Sequence, residues 1–188
     1  VAAGGKDGYL HIIDRKTRKL IAKTAVTTVD EPVPVPTPEG LDVCPGVAGG
    51  VEWNGPAFDP KINRIFIGSL DYCSRFIAEP GTKPDPGGPN YGGSWTGIDT
   101  PKGWLYALDA DTGTVAWRFH AGNGMLGGTT ATAGGIVMSG DNDGKFFVFN
   151  SASGEILKTV DTGGSLSGGV ITYDIGGKQY IAVTSGNH

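Results

Sequence analysis

Residues Gly103 to Trp117 read Gly-Trp-Leu-Tyr-Ala-Leu-Asp-Ala-Asp-Thr-Gly-Thr-Val-Ala-Trp, and the chain returns to this pattern twice. Asp7-Gly8-Tyr9-Leu10-His11-Ile12-Ile13-Asp14 precedes Arg15-Lys16-Thr17-Arg18, and Asp143-Gly144-Lys145-Phe146-Phe147-Val148-Phe149-Asn150 precedes Ser151-Ala152-Ser153-Gly154. Each copy is a Gly, a short apolar run, an Asp or Asn, and a turn. The run is aromatic and β-branched and ends in residues that tolerate turn or left-handed geometry, so it reads as a strand entering a hairpin. The return strands follow at once in Leu20-Ile21, Val115-Ala116-Trp117 and Ile156-Leu157. Gly103 and Gly144 stand 41 residues apart, within the ~40 to 45 residues of one four-stranded propeller blade. No long segment of 3.6-residue periodicity supports a helical repeat instead. The pattern predicts an all-β propeller.

The composition agrees. With 33 Gly and 12 Pro in 188 residues and only 18% charged, the chain reads as β-strands joined by tight turns. A net charge of −4 gives no basic face for nucleic acid. No apolar run approaches the ~20 residues that cross a bilayer as a helix. Further strands, of the outer-blade type, are expected at Arg64-Ile65-Phe66-Ile67-Gly68, Gly135-Ile136-Val137-Met138-Ser139 and Gln179-Tyr180-Ile181-Ala182-Val183. Together these make about four blades, and residues 1–188 read as a partial propeller, one part of a larger ring; a complete four-bladed propeller fits the same count. The chain opens at Val1, close to mid-blade and with neither initiator Met nor signal peptide, which reads as a processed or truncated start.

Two irregular segments interrupt the array. Residues at about 24–56 include Glu31-Pro32-Val33-Pro34-Val35-Pro36-Thr37-Pro38, whose alternating prolines cannot pair as a central strand. Residues at about 77–102 hold Pro80, Pro84, Pro86 and Pro89 among glycines. Both read as long surface loops, which form lids or site walls or merely decorate a scaffold. Cys44 and Cys73 flank an intervening strand and make no Cys-x-x-Cys pair, which excludes a zinc ribbon, a thioredoxin motif and a haem attachment site. They are either free buried thiols or a disulfide, which would close 29 residues and stabilise the fold by roughly 3 to 4 kcal/mol.

Taken alone, the polar residues carry little chemistry. The chain has no Ser/His/Asp set and no phosphate-binding Gly loop ahead of a helix. His11, His120 and His188 lack a second His at metal-ligand spacing and read as structural or solvated. Asp109, Asp111, Asp141 and Asp143 cluster near turns. Asp141-Asn142-Asp143-Gly144 begins like a calcium loop, but no Glu stands at the twelfth position, so these side chains are expected to cap turn amides. Trp117 reads as packing that locks one blade onto the next. Lys6 at a hairpin entry and Glu52-Trp53 at a strand entry would, on these grounds, be surface residues.

The motifs resemble a known family, the quinoprotein alcohol dehydrogenases, eight-bladed propellers that use pyrroloquinoline quinone (PQQ). The spacing from Ala107-Leu108-Asp109 to Gly113 to Trp117 is similar to that family's tryptophan-docking repeat. The run Cys44-Pro45-Gly46-Val47-Ala48-Gly49-Gly50-Val51-Glu52-Trp53, followed by Ala57-Phe58-Asp59-Pro60 and Cys73, resembles its Gly-Gly-x-(Asn/Glu)-Trp segment. The register is the one in which a disulfide ties the two flanking positions. Gly127-Gly128-Thr129-Thr130-Ala131-Thr132-Ala133-Gly134-Gly135 and Gly176-Gly177-Lys178-Gln179-Tyr180-Ile181-Ala182-Val183 are similar as well. The resemblance covers nearly the whole chain.

The resemblance implies a set of roles. Lys6 stands where the family places an Arg or Lys beside the quinone carbonyls, and a cation there favours the negative charge that develops on reduction. Glu52 and Trp53 fall where it lines the cofactor chamber, the carboxylate accepting hydrogen bonds and the indole giving a flat wall and one donor. Leu126 takes the place of a Trp that stacks under the quinone in methanol-type members, and supplies an apolar floor without a π-face. The resemblance also implies a Cys44–Cys73 disulfide and hence an oxidising compartment, the periplasm. Calcium or lanthanide ligands and the catalytic carboxylate are expected upstream, so residues 1–188 are assigned no catalytic and no metal-binding residue.

The resemblance implies that residues 1–188 are the C-terminal portion of the eight-bladed propeller, and the implied activity is oxidation of an alcohol or sugar-like substrate, carried out together with the remaining half. An upstream carboxylate takes the hydroxyl proton, the quinone accepts a hydride, and the metal polarises the quinone oxygen. The chain has no Cys-x-x-Cys-His, so a cytochrome c acceptor would be a separate partner or domain. The alternatives are a truncated inactive relative and a non-catalytic propeller scaffold, like the outer-membrane assembly lipoproteins that share the repeat. In a scaffold, the cysteine pair, Lys6 and Glu52-Trp53 would be unexpected.

Overall fold

The computed structural model describes residues 1–81, 83, 86–87 and 92–186, so Pro84, Pro89 and His188 lie outside the described residues. Those residues form strands and no helix. The first sheet holds β1 (Ala2–Gly4), β2 (Tyr9–Ile13) and β3 (Leu20–Ala25). In chain order, the next strands are β4 (Leu41–Val43), β5 (Ala57–Asp59), β6 (Arg64–Asp71), β7 (Ser74–Ala78) and β8 (Gly93–Gly97). They are followed by β9 (Lys102–Asp109), β10 (Val115–Ala121), β11 (Thr130–Ala131), β12 (Ile136–Gly140), β13 (Lys145–Asn150), β14 (Ile156–Asp161), β15 (Val170–Ile175) and β16 (Lys178–Val183). The second blade is ordered β5-β6-β9-β10, the third β11-β12-β13-β14, and the fourth is the β15-β16 pair.

The repeated hairpins are β2–β3, β9–β10 and β13–β14, all antiparallel. Their turns are built by one device. Asp14 Oδ1 accepts the amides of Lys16 and Thr17, Asp109 Oδ1 those of Asp111 and Thr112, and Asn150 Oδ1 those of Ala152 and Ser153. A side-chain oxygen thus satisfies amides that the tight turn leaves unpaired. Hydrogen bonds from Thr17 and Thr112 hold the Asp14 and Asp109 carboxyls below the ordinary carboxylate range. Each hairpin then slips register by a bulge, at Ile12/Ile13, Val115/Trp117 and Val148/Phe149.

The blades stack face to face through three apolar cores. Leu10, Ile12, Ile65, Ile67, Tyr106 and Leu108 fill the space between the first and second blades. Phe66, Leu105, Ala107, Val137, Phe147 and Phe149 fill the next, and Met138, Phe146, Leu166 and Val170 the third. Alternation explains the division: Ile65 and Ile67 leave one face of β6 and Phe66 the other, while Tyr106 and Leu108 oppose Leu105 and Ala107 on β9. Strands β6 and β12 therefore lie inside their sheets, which corrects the expectation that Arg64–Gly68 and Gly135–Ser139 are outer strands. Their unbroken apolar runs reflect burial on both faces. The exposed outer strands are β3, β10 and β14.

Trp117 fastens the second blade to the third. Its Nε1 donates to the Ser151 carbonyl at 3.0 Å, and its ring lies 5.7 Å from that of Phe66 and 6.0 Å from that of Phe149. Gly154 supplies the clearance, since a Cβ there would come within 2.7 Å of the indole.

The long segments, one between the first two blades and one between β6 and β9 of the second, differ from simple loops. They contribute β4, β7 and β8, a separate three-stranded sheet in the order β4-β7-β8. A disulfide joins Cys44 to Cys73, tying the segment after β3 to the one after β6. The alternating-proline run itself forms no strand.

Candidate functional site

The site is built from one backbone contact that recurs between successive blades. Val51 N donates to Gly5 O at 3.0 Å, Met125 N to Ser69 O at 3.3 Å, and Leu166 N to Asp141 O at 3.1 Å. Each acceptor lies within two residues of the end of β1, β6 or β12, the equivalent strand of its blade. The residue after each donor is therefore placed equivalently: Glu52, Leu126 and Ser167. Gly-Gly pairs follow Leu126 and Ser167, and they permit close backbone approach, as in the 2.7 Å bond from Gly128 N to Gly168 O. After Glu52 the same two positions hold Trp53 and Asn54.

Those two side chains reach across the next two blades. Asn54 Nδ2 donates to the Leu126 carbonyl, and Trp53 Nε1 donates to the Ser167 carbonyl at 3.0 Å. Trp53 is 68% exposed, so its ring is held by one end with its faces open. Leu126 is half-buried beneath this segment.

Lys6 follows Gly5 in the β1–β2 turn, and its Nζ donates to Glu52 Oε1 at 2.6 Å. The Glu52 side chain is 16% exposed and that of Lys6 51%. Gly50 brings them together. Its φ of 96° is reserved largely for glycine, and a Cβ there would stand 2.9 Å from Lys6 O and 3.0 Å from Lys6 Cα.

Behind Lys6 lies a cavity of about 330 Å³ lined by Asp7, Tyr9, Lys23, Glu31 and Cys44 among others. Its charges are paired internally. Lys23 Nζ meets Glu31 at 2.8 Å and sits 3.8 Å above the Tyr9 ring, and His11 Nε2 meets Asp7 at 2.8 Å. The hydrogen bond from Lys23 lowers the Glu31 pKa and raises that of Lys23, while a hydrogen bond to Glu31 raises that of Tyr9.

Thus Lys6 and Glu52, named from the sequence, meet as an ion pair, Trp53 beside Glu52 reaches Ser167 of the fourth blade, Leu126 is joined to the same segment through its carbonyl, and the Cys44–Cys73 bridge borders the cavity beside Lys6. Sequence reasoning missed Asn54 and Ser167. The signal was available in the Gly-Gly pairs at 127–128 and 168–169, which align Ser167 with Leu126. His120 lies apart, packed on Trp104 with ring centroids 4.5 Å apart. Asp141 is fully buried, with Oδ1 accepting the amides of Asp143 and Lys145 and Oδ2 unpartnered. Among the described residues no three His, Cys, Asp or Glu lie together as a metal site.

Known proteins resemble this chain in sequence and fold. The family described as PQQ, glucose/ethanol/alcohol dehydrogenase beta-propeller domain, matches residues 118–181. Lupanine 17-hydroxylase (cytochrome c) of a Pseudomonas species is 29% identical over 100% of this chain and 29% of its own length. The quinoprotein ethanol dehydrogenase of Pseudomonas putida is 27% identical over 98% of this chain and 34% of its own. The quinohemoprotein alcohol dehydrogenase of Comamonas testosteroni superposes with a TM-score of 0.83 over 96% of this chain and 31% of that one, at 24% identity, a likeness of fold. The chain spans about a third of the length of the curated relatives it matches. Residues 118–181 match the PQQ β-propeller family, and the chain as a whole has quinoprotein alcohol dehydrogenases among its homologues.

Proposed function

We propose that residues 1–188 form part of the quinone chamber of a PQQ-dependent dehydrogenase that oxidises an alcohol or sugar-like substrate and passes its electrons to a cytochrome-type acceptor. The observation that carries this reading is that one segment, residues 52–54, joins Lys6 of the first blade to Leu126 and Ser167 of the third and fourth. The residues fit a planar quinone. Trp53 offers an open aromatic face held in place by its own N–H, Leu126 an apolar surface below it, and Lys6 an ammonium with donors beyond the one given to Glu52.

When bound, the quinone supplies the two-electron acceptor that the polypeptide lacks. Lys6 would hold positive charge beside it, its ammonium directed by Glu52, which favours a negatively charged reduced form. Trp53 and Leu126 would supply aromatic and apolar surface to shield it from water, which strengthens charge interactions. The proton acceptor for the substrate hydroxyl and the calcium or lanthanide ligands are assigned to the part of the protein upstream of these residues. A periplasmic location accords with the Cys44–Cys73 disulfide. A relative whose name includes cytochrome c supports the acceptor.

The test is reconstitution of the full-length protein with PQQ and calcium or a lanthanide, followed by absorbance and a dye-linked dehydrogenase assay. The reading predicts stoichiometric bound quinone and substrate-dependent dye reduction. Protein that binds no quinone would sink it.

A further inference from the structure

The repeated hairpin turn is built three times, and one copy alone is basic. After the capping residues Asp14, Asp109 and Asn150 the turns read Arg15-Lys16-Thr17-Arg18-Lys19, Ala110-Asp111-Thr112-Gly113-Thr114 and Ser151-Ala152-Ser153-Gly154-Glu155. The first holds four of the chain's 15 Lys and Arg, and the other two hold none. All three caps accept the same pair of amides, so the turn itself has no use for the cations. Arg18 even occupies, at φ of 60°, the left-handed place that Gly113 and Gly154 fill at 72° and 76°, a conformation unfavourable to any side chain.

Residues 15–21 are all exposed, so the tip stands clear of the first blade. Among the described residues Arg15, Lys16, Arg18 and Lys19 make no ion pair, and the Asp14 carboxylate beside them is committed to the turn. Directly after the cations come Leu20, 55% exposed, and Ile21, 49%. The outward direction belongs to the position. In the second blade, which has neighbours on both faces, the counterparts of Lys16, Lys19 and Leu20 are Asp111, Thr114 and Val115, and all three are exposed, Val115 by 39%. Lys16, Lys19 and Leu20 therefore face solvent whatever packs against the first blade.

We propose that this tip docks the protein on a membrane surface rich in anionic phospholipid, its cations on lipid phosphates and Leu20 and Ile21 in the headgroup layer. The negative potential of such a surface attracts the cations, and the aliphatic side chains beside them gain by leaving water. A protruding tip buries its apolar pair only by entering its partner, which a headgroup layer permits and a close-packed protein surface resists. Residues 14–21 hold no aromatic side chain to stack on a base, which disfavours single-stranded nucleic acid. Lys6 precedes β2 and the tip follows it, so the two lie at opposite ends of that strand. Docking thus leaves the Lys6–Glu52 end facing away from the membrane, and it does not depend on a bound quinone.

The test is co-sedimentation of the full-length protein with vesicles of phosphatidylcholine alone and of phosphatidylcholine with about 30% phosphatidylglycerol. The expected result is binding to the anionic vesicles only, weakening roughly tenfold between about 50 and 200 mM salt. Lys16→Glu with Lys19→Glu weakens it at least roughly twentyfold, at about fivefold per cation. Leu20→Ser with Ile21→Ser weakens it roughly tenfold at both salts. Lys102→Glu with Lys158→Glu, the same charge change on β9 and β14, leaves it within about twofold. No vesicle binding, equal binding to neutral vesicles, no effect of the tip variants, an equal loss from the β9 and β14 pair, or a preference for polyglutamate or DNA over the anionic vesicles overturns the proposal.

Discussion

At Gly50 the backbone carries φ of 96° and lies against the Lys6 main chain. Gly50→Ala is expected to cost about 1–2 kcal/mol from the left-handed backbone alone and to push the β1–β2 turn away, parting Lys6 from Glu52. A lowered melting temperature together with weaker quinone binding by the full-length protein checks this; a normal affinity contradicts it. Asp141 makes a prediction of opposite character. Burial raises its pKa, so the fold favours the neutral carboxyl, and stability is fullest below the unfolded pKa and declines as pH rises through the raised folded value. Asp141→Asn is expected to melt higher than the parent at pH 7 and to lose that advantage near pH 4. Asp14, Asp109 and Glu31 work the other way. Their lowered values give stability above the unfolded pKa that is lost as pH falls through the folded one. Resemblance brought Lys6 and Glu52 to attention, but nothing in a separation of 46 residues shows that their side chains meet. That contact depends on how the second blade's entry segment crosses the β1–β2 turn.

The β9–β10 hairpin delivers Trp117 onto the turn that follows β13, where it touches two blades at once. Trp117→Ala is expected to cost about 3 kcal/mol, toward the low end for large aromatic truncations because the ring is only half-buried. Thermal melting reads this directly, and a change below ~1 kcal/mol would remove Trp117 as the fastener. Reducing the Cys44–Cys73 bridge is expected to cost a similar ~3 kcal/mol through the freed 29-residue loop. Its effect should concentrate in hydrogen exchange of β4, β7 and β8, leaving β13 protected. The hairpins could be read from the sequence because their strands are marked by turn-capping Asp or Asn residues, Asp14, Asp109 and Asn150. Strands β6 and β12 were misplaced because burial on both faces erases the alternation that orients a strand. The β4-β7-β8 sheet gave no signal, since Leu41–Val43 is too short and Gly93–Gly97 too rich in Gly to show a period.

Across the whole molecule, three interblade cores replace a single centre, and the residues proposed for the quinone chamber are held by the stacking itself. Lys6 comes from the first blade, Glu52 and Trp53 enter the second, Leu126 the third, and Ser167 the fourth. The repeat in Gly103–Trp117 therefore predicts the fold well and the chemistry poorly. Positions that repeat build the scaffold, whereas Trp53 and Asn54 stand where two other blades carry Gly-Gly. The decisive measurement is the affinity of the full-length protein for PQQ, by absorbance titration, in the parent and in Lys6→Ala and Trp53→Ala. Tight stoichiometric binding that weakens at least roughly tenfold in each variant, the loss of about one charge-assisted contact or one aromatic wall, is the predicted result. Failure of the parent to bind, or binding indifferent to both substitutions, would contradict the assignment.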